Sequence, residues 1–242
     1  HPLVLFARKK QSIKKYRQKN MIKTLILDFD GTLADTQACI VSTVQSTLNA
    51  LQLPSVPQEE IISRIGLPLR TVLTEGAHIP AGALLEKSVD IYRQLFDEIS
   101  PRTTHLFPHV KETLVRLHDE GTTLAIASGK SRRVLLQMMK DFDLLSLTET
   151  IVCDDDVVHK KPAPDMALKV LSLTDTLPTE AMVVGDTTFD IEMGRAAGCM
   201  TCGVTYGNHN RNILKSAGSD FLIDDFSQLY SLVSRNKNFS AR

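Results

Sequence analysis

The sequence predicts an α/β protein with a Rossmann-like, three-layer α/β/α core built on a parallel sheet and carrying an inserted α-helical cap. Three observations predict it. Short apolar runs alternate with longer segments of helical period, the pattern of a parallel sheet covered by helices on both faces. The interval between the first two runs is too long for one crossover and is itself helix-like. Polar residues follow the runs directly, at the carboxyl ends where open parallel sheets bind ligands.

Taken in chain order, residues 1–20 hold Arg8, Lys9, Lys10, Lys14, Lys15, Arg17 and Lys19 and no acid, and are expected to form a solvated, poorly ordered arm. The first strand is KTLILDF (Lys23–Phe29), in a clean run that opens at Met21. The cap follows, placed at residues 36–102, with helices expected in QACIVSTVQSTLNALQL, PQEEIISRI, LRTVLTEGA and ALLEKSVDIYRQLFDEI between Pro- and Gly-containing turns. Its linkers are expected near Ala34–Thr36 and Ser100–Leu106. The core, residues 21–35 and 103–242, resumes with a helix near His109–Glu120. Strands are then expected in TTLAIAS (Thr122–Ser128), TIVC (Thr150–Cys153), AMVVGD (Ala181–Asp186) and MTCGVTY (Met200–Tyr206). Crossover helices include RRVLLQMMKDF and TFDIEMGRAAG, the latter ending at a Gly suited to a helix C-cap. FLID (Phe221–Asp224) adds an edge strand.

Composition narrows the function classes. The 28 basic and 28 acidic residues cancel, but seven of the bases lie in the first twenty positions, which leaves the remainder with 21 positive against 28 negative charges. A net negative body argues against general nucleic-acid binding. No apolar run approaches the ~20 residues of a membrane helix, and LVLFA precedes its basic cluster, the reverse of a signal peptide. These features lead us to expect a cytoplasmic protein, monomer or homodimer, with no membrane or nucleic-acid partner. The four cysteines make no disulfide framework, and Cys199 and Cys202, despite their C-x-x-C spacing, read as core residues of a strand.

The strand ends carry the chemistry. The first ends in Asp28 and Asp30, the second in Ser128 and Lys130, the fourth in Asp186 with Asp190 nearby, and the loop after the third supplies Lys160 and Lys161. Carboxylates converging on one edge repel one another and call for a cation; Mg²⁺ fits, because it takes hard oxygen ligands and a substrate phosphate. A hydroxyl and a lysine opposite them complete a phosphate cradle, and the set predicts phosphoryl transfer. In this reading Asp28 attacks phosphorus to form an aspartyl-phosphate, and Asp30 protonates the leaving oxygen, then deprotonates the attacking water. Gly31 permits the sharp turn and Thr32 steadies the loop. A plainer reading makes Asp28 and Asp30 turn residues and Asp186 and Asp190 helix N-caps; one of the latter pair could do both.

These residues resemble the haloacid dehalogenase superfamily of phosphohydrolases. DFDGTLADT is similar to its first motif, IASGK to its second, KKPAPD to its third and VVGDTTFD to its fourth, in the expected order. The resemblance implies Asp28 as nucleophile and Asp30 as acid/base. It implies Mg²⁺ bound by Asp28, the Asp30 main-chain carbonyl and Asp186, with Asp190 beside it or linked through water. Ser128 and the Gly129 backbone would hold the phosphoryl group and Lys161 would compensate its charge, with Lys160 a rival. The acid at Asp30 argues against the dehalogenase branch. A helical cap after the first motif resembles the subgroup of phosphoglycolate phosphatase, pyrophosphatase-like enzymes and β-phosphoglucomutase. RIGLPLRTV resembles the cap segment that reaches substrate, where Arg70 is either an anion contact or a solvated helix residue; GVTYGN also resembles the phosphoglycolate phosphatase branch. SGKSRR departs from the commoner Thr-Asn form of the second motif. The expected substrate is a small phosphorylated metabolite, phosphoglycolate-like; a phosphosugar mutase or a pyrophosphatase is the alternative.

Overall fold

The structure, a computed structural model, describes residues 21–238, so the expected basic arm at 1–20 lies outside the described residues. Six strands form one parallel sheet: β1 (Thr24–Leu27), β4 (Thr123–Ser128), β5 (Thr150–Cys153), β6 (Ala181–Gly185), β7 (Met200–Val204) and β8 (Phe221–Ile223), in the spatial order β5-β4-β1-β6-β7-β8. The order reverses at β1 and β6, which pair from Thr24–Ala181 to Leu27–Val184, so the loops after these two strands border the crevice.

Each strand's period of two divides its side chains between two apolar layers. Leu25 and Leu27 of β1, Leu124 and Ile126 of β4, and Met182 and Val184 of β6 point into one layer; Ile26, Ala125, Ala127, Ala181 and Val183 point into the other. Both faces are thus buried, and the central strands read as continuous apolar runs rather than alternations. Of the helices expected from the sequence, Val110–Asp119 and Arg132–Asp141 cover the first layer, and Thr188–Ala196 covers the second. The second layer also takes Asp165–Leu173, through Met166, Ala167, Val170 and Leu171.

Between β1 and β4 the chain makes a helical insert: α1 (Gln37–Ala50), α2 (Gln58–Ile62), α3 (Leu69–Thr71) continued by a π turn over Val72–Gly76, and α4 (Ala83–Thr103). α1 buries Ile40, Val44 and Leu48 at intervals of four, and α4 buries Leu85, Val89, Tyr92 and Phe96 at intervals of three to four; these stripes join the first apolar layer.

Three expectations need correction. The first strand begins at Thr24 rather than Met21. LRTVLTEGA is a short α turn passing into a π turn, not one α-helix. The second linker is shorter than expected, because α4 runs through Pro101 to Thr103. A proline so near the helix end forgoes one bond, and the N–H and hydroxyl of Thr104 both donate to Ser100 O to close the last turn. The two connections then pair with each other, β2 (Ala34–Asp35) antiparallel to β3 (His105–Leu106).

Candidate active site

β1 carries Asp28 to the sheet edge, where its N–H still donates to Val184 O at 2.9 Å. The chain must then turn sharply beside β6. Gly31 makes the turn at φ +79°, and a Cβ there would stand 2.2 Å from Asp186 Oδ2, so a side chain is excluded by space as well as by conformation. The Thr32 hydroxyl sits between two carboxylates, 3.4 Å from Asp28 Oδ2 and 3.3 Å from Asp186 Oδ1.

Asp30 faces elsewhere. Its Oδ1 accepts the Thr36 hydroxyl at 2.6 Å and pairs with Lys130 Nζ at 3.0 Å. Thr36 stands at the N-cap of α1, yet its hydroxyl makes no cap bond and serves Asp30 instead.

Lys161 is 4 % exposed, and its Nζ lies 2.7 Å from both Asp28 Oδ1 and Asp190 Oδ1. Asp190 spends its other oxygen on the N–H and hydroxyl of Thr187, closing a capping box on the helix Thr188–Ala196. It is both an N-terminal cap and a member of the cluster. Asp186 Oδ2 accepts two bonds from Asn208, from the main-chain N–H at 2.6 Å and the side-chain amide at 2.7 Å. Lys160 is tied to its own loop, donating to the carbonyls of Asp154 and Val157 and pairing with the Asp154 carboxylate.

Burial dominates the electrostatics. It raises the Asp28 carboxyl well above the ordinary range, and the charges of Asp190 and Asp186 push the same way against Lys161. Burial, then Asp190, pushes Asp186 up to about 7. Burial alone would lower Lys161, but the charges of Asp190 and Asp28 outweigh it and keep the ammonium protonated.

Oxygens of Asp28, Asp186 and Asp190 lie within 4.8 Å of one another, a grouping that could hold a metal ion. The donor set is all carboxylate, which suits a hard divalent cation. Among the described residues, Asp28 Oδ2 and Asp186 Oδ1 have only the long contacts to Thr32, whereas both oxygens of Asp190 are engaged at short range. The Asp30 side chain stands outside this group.

Ser128 ends β4, fully buried, and its Oγ accepts the Lys130 N–H at 3.2 Å. At Gly129 a Cβ would stand 2.6 Å from Gly66 O, because the insert's 65–67 segment rests on this loop. Beside it, between insert and core, is a cavity of about 150 Å³ whose lining includes Asp30, Lys130, Tyr92 and Phe96. Lys130 Nζ stands 4.7 Å from the Phe96 ring centre. Arg70 also lines it, but the guanidinium is half-exposed and paired with Glu86, Nη2 to Oε2 at 2.7 Å.

Sequence reasoning did not anticipate the partnerships of Lys130 and Thr36 with Asp30, or of Asn208 with Asp186. Lys130 and Asn208 stand in the stretches SGK and GVTYGN, so their presence near the site was legible; their target side chains were not.

A family model described as haloacid dehalogenase-like hydrolase matches residues 25–204. The phosphoglycolate phosphatase of Salmonella typhi is 31% identical over 233 residues, covering 86% of this chain and 91% of its own length. That of Escherichia coli strain K12 is 30% identical with the same coverage. Among solved structures, a haloacid dehalogenase-like family hydrolase of Streptococcus pneumoniae superposes with a TM-score of 0.75 at 23% identity, over 87% of this chain and 97% of that one.

Proposed function

This chain belongs to the haloacid dehalogenase-like hydrolase family and is a phosphoric monoester hydrolase; from that premise we propose that it is a Mg²⁺-dependent phosphatase of small phosphorylated metabolites, acting through a phosphorylated Asp28. The observation that carries the reading is the division between two carboxylates one residue apart. Asp28 enters the cluster with Lys161, Asp186 and Asp190, whereas Asp30 turns toward Thr36, Lys130 and the cavity.

In this reading Asp28 is the nucleophile, using Oδ2, since Oδ1 is held by Lys161. Asp28, Asp186 and the Asp30 carbonyl would hold Mg²⁺, which supplies positive charge against the repulsion between carboxylate and phosphoryl oxygens. Asp190 acts through Lys161 and Thr187, orienting the lysine toward Asp28. Ser128 and the Gly129 N–H would receive the phosphoryl oxygens. Asp30 lines the cavity two residues along the chain from Asp28, a position from which it can hand a proton to the departing alcohol and take one from water. The helical insert would then act as a cap whose closure excludes bulk water from the acyl-phosphate, and the β2–β3 ladder is where its two connections move together.

A phosphate-release screen across phosphoglycolate, pyrophosphate, sugar phosphates and nucleotides, with and without Mg²⁺, tests this. Asp28→Asn is expected to lose at least about a thousandfold in kcat. Turnover by that variant at the parent rate would overturn the proposal, and conversion of β-glucose 1-phosphate to glucose 6-phosphate without free phosphate would favour a mutase.

A further inference from the structure

We infer that the alcohol half of the substrate is an uncharged, ring-sized group bearing a hydroxyl that meets Tyr92, so that the cavity between insert and core selects phosphorylated cyclic alcohols over phosphoglycolate. This deepens the phosphatase reading and rests on it.

Size comes first. At about 150 Å³ the space between insert and core equals that of an engineered protein cavity that binds benzene. Glycolate has two carbons and would leave most of it empty. The walls speak next: Ile40, Ile65, Leu69, Val72, Val89 and Phe96 line the space together with the acids Asp30, Asp154 and Asp155. A carboxylate among them would lose its hydration with little return. The nearby cations do not change this. Lys130 is paired with Asp30, Arg70 with Glu86, and Arg93 lies at an exposed position, where an anion drawn to it would leave the apolar walls unfilled.

The third observation is Tyr92. It is 7 % exposed and lines the cavity, and no described residue hydrogen-bonds its hydroxyl. A hydroxyl on the cavity wall can take a ligand hydroxyl as its partner. Burial, and then the charge of Asp30, raise the Tyr92 pKa, so the group is present as a neutral donor. Phe96, one turn on, stacks on the Tyr92 ring at 5.7 Å and fixes its orientation.

The test uses the full chain with Mg²⁺ and three esters: phosphoglycolate, benzyl phosphate and 3-hydroxybenzyl phosphate, whose ring carries a neutral hydroxyl. Both ring esters are expected to show kcat/KM about tenfold or more above phosphoglycolate. Tyr92→Phe is expected to raise KM for 3-hydroxybenzyl phosphate about fivefold more than for benzyl phosphate; an equal change on both would assign Tyr92 a packing role and overturn the hydroxyl contact. If phosphoglycolate matches or exceeds the ring esters, the inference fails while the phosphatase reading stands. If no ester is hydrolysed, the phosphatase reading fails, and calorimetry of Asp28→Asn with benzyl phosphate against phosphoglycolate decides the pocket preference separately: tighter binding of the ring ester supports it, and the reverse order overturns it.

Discussion

The carboxylate cluster at the sheet edge and the cavity under the insert meet at Asp30, yet they are built in opposite ways. In the cluster, Lys161, Asp190, Thr187 and Asn208 partner one another's neighbours at 2.6–3.1 Å, and the few oxygens left with long contacts face each other. In the cavity apolar side chains stand beside Asp30, Asp154 and Asp155, the Tyr92 hydroxyl has no hydrogen bond among the described residues, and the arginines stand at exposed positions. The first arrangement is rigid and prepared for one charged group; the second offers volume and little direction. On the proposed reading, reaction type resides in the sheet edge and the choice of alcohol in the insert.

The contrast can be broken most forcefully at Lys161. Lys161→Met leaves Asp28 and Asp190 buried without their shared cation, and breaking such a pair is expected to lower folding stability by about 3–5 kcal/mol and kcat by about a hundredfold or more. Urea denaturation and phosphate release read the two effects. A loss under about 1 kcal/mol would mean that the cluster is not the tightly coupled unit described here.

A smaller effect follows from pH. Asp186 titrates at about 7 in the folded protein without metal and near 3.8 when unfolded, so between these values the folded state holds a proton that the unfolded chain has released. The stability associated with this group is present below about pH 4 and is lost as pH rises toward 7, and the upward shift of Asp28 acts in the same direction. A divalent cation on the ionised carboxylates offsets that loss. Mg²⁺ should therefore raise Tm more at pH 8 than at pH 5, by about several degrees, in thermal melts against a chelator control. An equal rise at both pH values would place the cation elsewhere.

The smallest effect belongs to the cavity rim. Arg70→Ala removes an exposed pair with Glu86 and should change stability by less than about 0.5 kcal/mol and KM by less than about threefold. A KM rise beyond tenfold would promote Arg70 to a substrate contact and make the rim as directional as the cluster.

Legibility divides along the same line. Asp28, Asp30, Ser128 and Asp186 were legible because each directly follows or ends an apolar strand, and parallel strands deliver their carboxyl ends to one edge. Lys161 and Lys160 could not be separated by spacing. One turns inward to Asp28 and the other bonds its own loop, a difference of direction rather than composition. Nothing in the sequence singles out Tyr92 within its long helix, since what its hydroxyl meets depends on which core loop lies opposite.

By itself, the sequence determined the layered α/β architecture, the succession of strands along the chain and the set of charged residues at their ends, because periodicity and turn chemistry act over a few residues. Only the tertiary structure decided that Thr36 abandons its helix cap for Asp30, that Asn208 holds Asp186, and that insert and core border a cavity lined by apolar and charged side chains. The pairing of Asp30 with Lys130 spans 100 positions and that of Asp186 with Asn208 spans 22, and no local pattern encodes which distant partner will arrive.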